Sequence, residues 1–180
     1  MIEPKEREMH RIAVTGIIWK DDPSTALEAG GSARKYLIAK RALHKKAWPG
    51  KWTVPGGGME VDDYMQTEAT FANEESPQWY HAAEKTLRRE IKEEVGLEVS
   101  DINYLLDVAF IRPDGIPAIV LSFYCTYASG EVALDEDATE YAWITAKQIS
   151  DYELIQGIDH EIQLVEERLT GVSAAHAVAA

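Results

Sequence analysis

Glu90, Glu93 and Glu94 fall within one short run, Arg89-Glu90-Ile91-Lys92-Glu93-Glu94-Val95-Gly96-Leu97. On an α-helix, spacings of three and four residues put these carboxylates on one face. Like charges there repel. Glu94 also falls in the last turn, where the helix dipole disfavours an anion. A hard divalent cation held by carboxylate oxygens offsets both effects. Such an ion clamps phosphate oxygens and lowers the pKa of bound water, the main requirements of phosphoryl transfer. A neighbouring carboxylate can then serve as general base. The same residues also read as a solvated helix face, with Glu84/Arg88 and Arg89/Glu93 as weak i,i+4 ion pairs.

The upstream sequence favours the chemical reading. Trp52-Thr53-Val54 has the character of a short strand, and Pro55-Gly56-Gly57-Gly58 follows as a tight glycine-rich turn. Consecutive glycines let backbone come close to a ligand. A glycine turn followed by a carboxylate helix is rarer than either part alone.

Together these segments resemble the Nudix hydrolase family. The family's box reads Gly, any five residues, Glu, any seven, Arg-Glu, an aliphatic, any, Glu-Glu, any, Gly, an aliphatic. Arg89, Glu90, Ile91, Glu93, Glu94, Gly96 and Leu97 match the second half at every fixed position. Counting forward from Gly57, the box glutamate position holds Asp63. The arginine expected at 71 stands at 89, an insertion of about eighteen residues, taken as 61–78. The resemblance covers residues 10 to about 168 and implies an α/β fold, the Nudix α/β/α sandwich with a mixed β-sheet. It implies Mg²⁺ or Mn²⁺ as cofactor. It also implies cleavage of the pyrophosphate bond in a nucleoside diphosphate linked to another group, such as a nucleoside triphosphate or an NDP-sugar.

Residue by residue, the resemblance makes Glu90 and Glu94 the principal metal ligands. Glu93 becomes a further ligand or the group that orients water, and the carbonyl of Gly56 a backbone ligand. Arg89 becomes the residue that positions a box carboxylate by ion pairing, a task that needs a planar guanidinium. Glu131 lies where some members carry a base or an extra ligand, although Asp135, Glu136, Asp137 and Glu140 follow closely. Gly57 and Gly58 are expected against the substrate. Arg41, Lys45, Lys46 and Lys51 precede the glycines, and Arg41 and Lys51 are the candidates for phosphate contacts. Two other uses of the scaffold stay open. A nucleotide sensor without turnover has no need of the full glutamate set. An isoprenoid diphosphate isomerase wants a reactive cysteine, whereas Cys125 lies in an apolar run.

These residues need elements to position them. Ser76-Pro77 reads as an N-cap and first helical position, opening a helix that ends near Val95. Ala83, Leu87, Ile91 and Val95 give it an apolar stripe, and Gly96 suits the left-handed residue that terminates it. Strands are expected at 12–19, 36–39, 52–54, 104–111, 118–128, 131–134 and 140–144. The run Arg112-Pro113-Asp114-Gly115 signals a hairpin between the two long ones. Thr145 can cap a short helix over 146–150, and 157–169 reads as an amphipathic helix. Residues 1–9 and 171–180 read as loose ends around one domain, 10–170.

Composition bounds the partners. There are 31 acidic and 18 basic residues, a formal net charge of −13. That disfavours nucleic-acid polymers and anionic membranes, which need basic patches. The expected partner is a small-molecule nucleotide. The insertion is expected to form a lid or a dimer contact, so a homodimer is one assembly to test. With no secretory leader and no apolar run long enough to span a bilayer, a cytoplasmic location is expected.

Overall fold

The computed structural model describes residues 9–22, 34–71 and 76–171. The expected loose ends lie almost wholly outside the described residues, as do residues 23–33.

A long strand, β1 (Arg11–Asp21), runs through the middle of a seven-stranded mixed sheet. On one edge it pairs in parallel with β6 (Pro117–Ser129), from Arg11↔Ala118 to Trp19↔Thr126. On its other edge it meets two partners. Near its end it pairs with β2 (Arg34–Arg41), and near its start with β4 (Gly56–Gly58). The short β3 (Trp52–Thr53) and β7 (Ala138–Ile144) flank β2, and β5 (Glu98–Ile111) closes the far edge against β6.

Alternation along β1 sorts its side chains between two layers. Val14 and Ile18 face α2 (Ala82–Val95), where Leu87, Ile91 and Val95 are at most 1% exposed. Burial of such side chains stabilises the fold by about 1.5–3 kcal/mol each. Ile17 faces the opposite way, with Tyr36, Ile38 and Ile144. It packs under Ile158, Ile162 and Val165 of α3 (Ile158–Thr170). The result is the expected α/β/α sandwich. No helix among the described residues is long and apolar enough to cross a membrane.

Three local readings need correction. Gly56–Gly58 is a strand rather than a turn, antiparallel to β1. The carboxylate-bearing helix starts at Ala82, not at Ser76-Pro77, with His81 at φ 59° before it. Upstream, Gln78 is held extended by exchanging backbone hydrogen bonds with Phe71, and Tyr80 N–H donates to the Thr70 hydroxyl. Those bonds outcompete a helical start. Residues 131–134 form no strand, because the chain here turns its N–H groups to the end of α2: Ala133 donates to the Val95 carbonyl and the next residue but one, Asp135, to that of Glu94. Elsewhere the turn signals hold. Gly96 terminates α2 at φ 73°, and Thr145 precedes a 3-10 helix over Ala146–Asp151, its N–H taken by the Gln148 side chain.

The insertion is also displaced from its expected bounds. Asp62–Met65 forms a single helical turn, α1, that packs on α2. Asp63 therefore belongs to the site, and the extra residues follow it. They leave after α1 and return at 78–81, stapled at the base by Tyr64 against Trp79 and by the Trp79 indole donating to the Thr67 carbonyl. The insertion's residues 72–75 lie outside the described residues.

Candidate active site

The site forms where β4 meets α2. In the antiparallel register Val14 pairs with Gly57, while Gly16 N–H donates to the Pro55 carbonyl and Met59 N–H to that of Ile12. The alternation of that ladder leaves Gly56 and Gly58 directed away from β1. Accordingly Gly56 N–H donates to a Glu94 carboxylate oxygen at 2.8 Å, and the Gly58 carbonyl accepts from Arg89 at 3.1 Å. A methyl group on Gly57 would overlap the Glu90 carboxylate. The glycine strand is thus a bare backbone edge against which the helix carboxylates sit.

Gly57→Ala is therefore expected to displace Glu90 and leave the sheet register intact. Hydrolysis should fall sharply with a nearly unchanged far-UV circular dichroism spectrum. An active Gly57→Ala enzyme would show that Glu90 need not lie on this strand.

Arg89 is the hub of the site. Its guanidinium pairs with Asp63, with Glu90 at 3.0 Å and with Glu93 at 2.8 Å. Asp63 is only 2% exposed in its side chain. Burial pushes its pKa up, but hydrogen bonds from Arg89, the Glu60 N–H and the Thr86 hydroxyl outweigh burial and hold it at about 2. Thr86, fully buried, is a residue that sequence reasoning passed over. Its one signal was a hydroxyl inside an apolar stripe, and such groups usually bond their own helix.

A carboxylate held down in this way adds stability at higher pH that is lost as pH falls towards its folded pKa. The parent protein should lose stability from the ordinary value of 3.8 down to about 2 more steeply than Asp63→Asn. Urea titrations at stepped pH measure the difference. Parallel curves would mean that Asp63 is not the group responsible.

Glu94 is largely buried rather than on an open face. Burial raises its pKa to about 7, against the opposing pull of the Gly56 hydrogen bond. Glu90 is raised too, chiefly by burial, with Arg89 pulling the other way. Glu93 is the outermost of the three, its side chain 58% exposed.

Among the described residues, no three His, Cys, Asp or Glu side chains converge closely enough to hold a metal as arranged. Arg89 holds Glu90 and Glu93, and the Gly56 N–H holds Glu94. The donors still fit a hard cation in kind. All are oxygens: carboxylates on one helix face and the Gly56 carbonyl on the open edge of β4.

The remaining expected residues divide. Arg41 joins Glu94, Asp135 and Asp137 in lining a cleft beside Val54 and Pro55, and burial lowers its pKa. Lys51 lies outside that cleft, paired with Glu153 beyond the 3-10 helix. Lys45 is likewise taken, by Asp137. Of the acids in the loop that follows β6, Asp135 and Asp137 line the cleft beside Glu94. The Glu131 carbonyl packs near Gly96 at the helix end. Cys125 is fully buried and its thiol is pushed up to about 12, which removes the reactive cysteine an isomerase would need. Four tryptophans pack on other rings: Trp48 on Phe110, Trp52 on Tyr152, Trp79 on Tyr64 and Trp143 on Tyr127.

Known proteins resemble this chain in sequence and in fold. The chain is 30% identical over 130 residues to a nucleoside triphosphatase NudI of Klebsiella pneumoniae, covering 66% of this chain and 79% of that one. A NudI of Salmonella typhimurium is 28% identical over 139 residues, covering 72% and 86%. Among solved structures, a MutT protein from Methanosarcina mazei superposes with a TM-score of 0.61 at 19% identity, covering 93% and 98%. The NUDIX domain of Shewanella oneidensis NrtR, solved with ADP ribose, gives 0.62 at 16% identity and 93% of each chain. These two likenesses speak for the fold alone. A family model for the NUDIX domain matches residues 9–165, most of the chain. The chain accordingly belongs to the Nudix family, as a pyrophosphohydrolase.

Proposed function

We propose that the protein is a metal-dependent pyrophosphohydrolase of nucleoside triphosphates, releasing a nucleoside monophosphate and pyrophosphate. The observation that carries this reading is the seating of Glu90 and Glu94 against the side-chain-free edge of β4. The NudI relatives, themselves nucleoside triphosphatases, favour a triphosphate over other diphosphate derivatives. Glu90, Glu94 and the Gly56 carbonyl would hold Mg²⁺ or Mn²⁺, with Glu93 as a further ligand. When bound, the ion neutralises phosphate oxygens and acidifies a water.

The chain's own residues do the rest. Arg89, anchored by Asp63 and the Gly58 carbonyl, fixes the positions of Glu90 and Glu93. Glu93, the most exposed of the three, is the carboxylate best able to take a proton from water. Arg41 brings positive charge to the cleft beside Glu94. Glu131 contributes no side chain to this scheme; Asp135 takes the place expected of it. The net charge of −13 fits a small soluble nucleotide rather than a nucleic-acid polymer, and a cytoplasmic setting completes the reading.

The test is a turnover screen of nucleoside triphosphates, NDP-sugars, ADP-ribose, NADH and dinucleoside polyphosphates, each with Mg²⁺, Mn²⁺ or EDTA. Triphosphates should turn over fastest with either metal and not at all with EDTA. A clear preference for an NDP-sugar, or turnover in EDTA, would overturn the proposal.

A further inference from the structure

Cations beside the carboxylate site are nearly all engaged. Arg89 holds Asp63, Glu90 and Glu93, Lys45 holds Asp137, Lys51 holds Glu153, and Lys40 holds Glu140. Arg41 donates from Nε to the Ala47 carbonyl and lies in the field of Glu94 and Asp137. One cation next to the glycine strand differs. Arg11, the first residue of β1, is exposed and makes no ion pair or side-chain hydrogen bond among the described residues.

Its position is specific. Arg11 lies on Gly58, so closely that a methyl group there would overlap its guanidinium. Successive residues of a strand face opposite sides of the sheet. Glu90 therefore covers one face of β4 at Gly57, and Arg11 covers the other at Gly58. Glycine at all three positions leaves only backbone between them. A phosphate chain held at the open edge of β4 by the Glu90–Glu94 side would have the Arg11 guanidinium on the other face of the same strand, over Gly58. An unpaired guanidinium matches phosphate oxygens with two parallel N–H donors.

We infer that Arg11 is a substrate-binding residue that grips the phosphate chain from the far face of the glycine strand, and that Gly58 lacks a side chain in order to seat it. This rests on the triphosphate reading above. Arg11 touches substrate only. It contributes no ligand to the ion and takes no proton.

The geometry sets a double-mutant test. Arg11→Ala removes the grip. Gly58→Ala fits its backbone, whose φ is not in the left-handed region, and pushes the guanidinium aside while leaving the residue in place. Both single variants should raise KM for a nucleoside triphosphate by about tenfold, the scale of a lost charge-assisted hydrogen bond, and in Arg11→Ala kcat should stay within about twofold. Arg11→Ala/Gly58→Ala should be no worse than either single variant. Arg11→Lys should recover part of the KM. Multiplying losses in the double variant, an unchanged KM in Arg11→Ala, or a collapse of kcat at constant KM would each overturn the assignment.

Inorganic pyrophosphate, added without turnover, separates this claim from the triphosphate reading. It should raise the melting temperature of the parent protein and raise that of Arg11→Ala much less. If triphosphates are not hydrolysed but the pyrophosphate response still needs Arg11, only the substrate reading falls. An equal response in both proteins, or none in the parent at millimolar pyrophosphate, refutes the role of Arg11.

Discussion

Glu94→Gln is expected to abolish hydrolysis while making the metal-free protein more stable, not less. The glutamine keeps the size of the side chain and can still accept the Gly56 N–H bond now made at 2.8 Å. It lacks the charge that a divalent ion requires. Losing a ligand should cost more than the roughly 10–100-fold that follows loss of a partner outside the ligand shell. The stability change has the opposite sign. Burial raises the pKa of Glu94 to about 7, so its ionised form is disfavoured in the folded state at neutral pH. A group whose folded pKa exceeds its unfolded value of 4.5 loses stability as pH rises, when that group is an acid. A neutral amide escapes that penalty. Thermal melts in EDTA should therefore favour the variant, and added Mg²⁺ should raise the melting temperature of the parent more than that of Glu94→Gln. Full activity in the variant would remove Glu94 from the ligand set. A less stable variant in EDTA would show that the buried charge is compensated in the metal-free protein.

Arg89→Met should have the largest effect on stability. It leaves Asp63, 2% exposed in its side chain, with no cation facing it. Breaking a buried pair from one side costs about 3–5 kcal/mol. Arg89 is 27% exposed, so the lower end of that range applies. In a domain of this size the melting temperature should drop by about 10 °C. Activity should fall as well, because Glu90 and Glu93 lose the group that fixes them. Two companions separate charge from shape. Asp63→Asn/Arg89→Met should regain part of the lost stability by removing the stranded anion. Arg89→Lys should regain little, since one ammonium cannot span Asp63, Glu93 and the Gly58 carbonyl together. If Arg89→Met melts with the parent, the Asp63 pair is not a buried one in solution.

Much of this site was legible before any coordinates. The spacing of Glu90, Glu93 and Glu94 placed them on one helix face, and the stripe Leu87, Ile91, Val95 showed which face is buried. The forward count from Gly57 led to Asp63, and Asp63 is the acid that Arg89 pairs with from outside the helix. What could not be read was set by pairing across the chain. The glycines read as a turn because their composition is that of a turn, yet the partner that makes them a strand, Val14, lies 43 positions earlier. Ser76-Pro77 carries a sound helix-start signal, but the backbone exchange between Phe71 and Gln78 holds the chain extended past it. Which acid of the run from Glu131 to Glu140 lies nearest the helix depended on a loop whose backbone bonds to the end of α2, and that loop brings Asp135 to the cleft. Lys51 was near the glycines in sequence, and Glu153 draws it elsewhere.

The central claim is that the carboxylates on β4's bare edge direct metal-dependent cleavage at an internal pyrophosphate bond. Phosphorus NMR of the products formed from a nucleoside triphosphate in ¹⁸O-labelled water tests it most directly. The account predicts nucleoside monophosphate and pyrophosphate, with label in one of these two fragments at the broken bond, and only when Mg²⁺ or Mn²⁺ is present. Release of terminal inorganic phosphate alone, or the same products in EDTA, would contradict it.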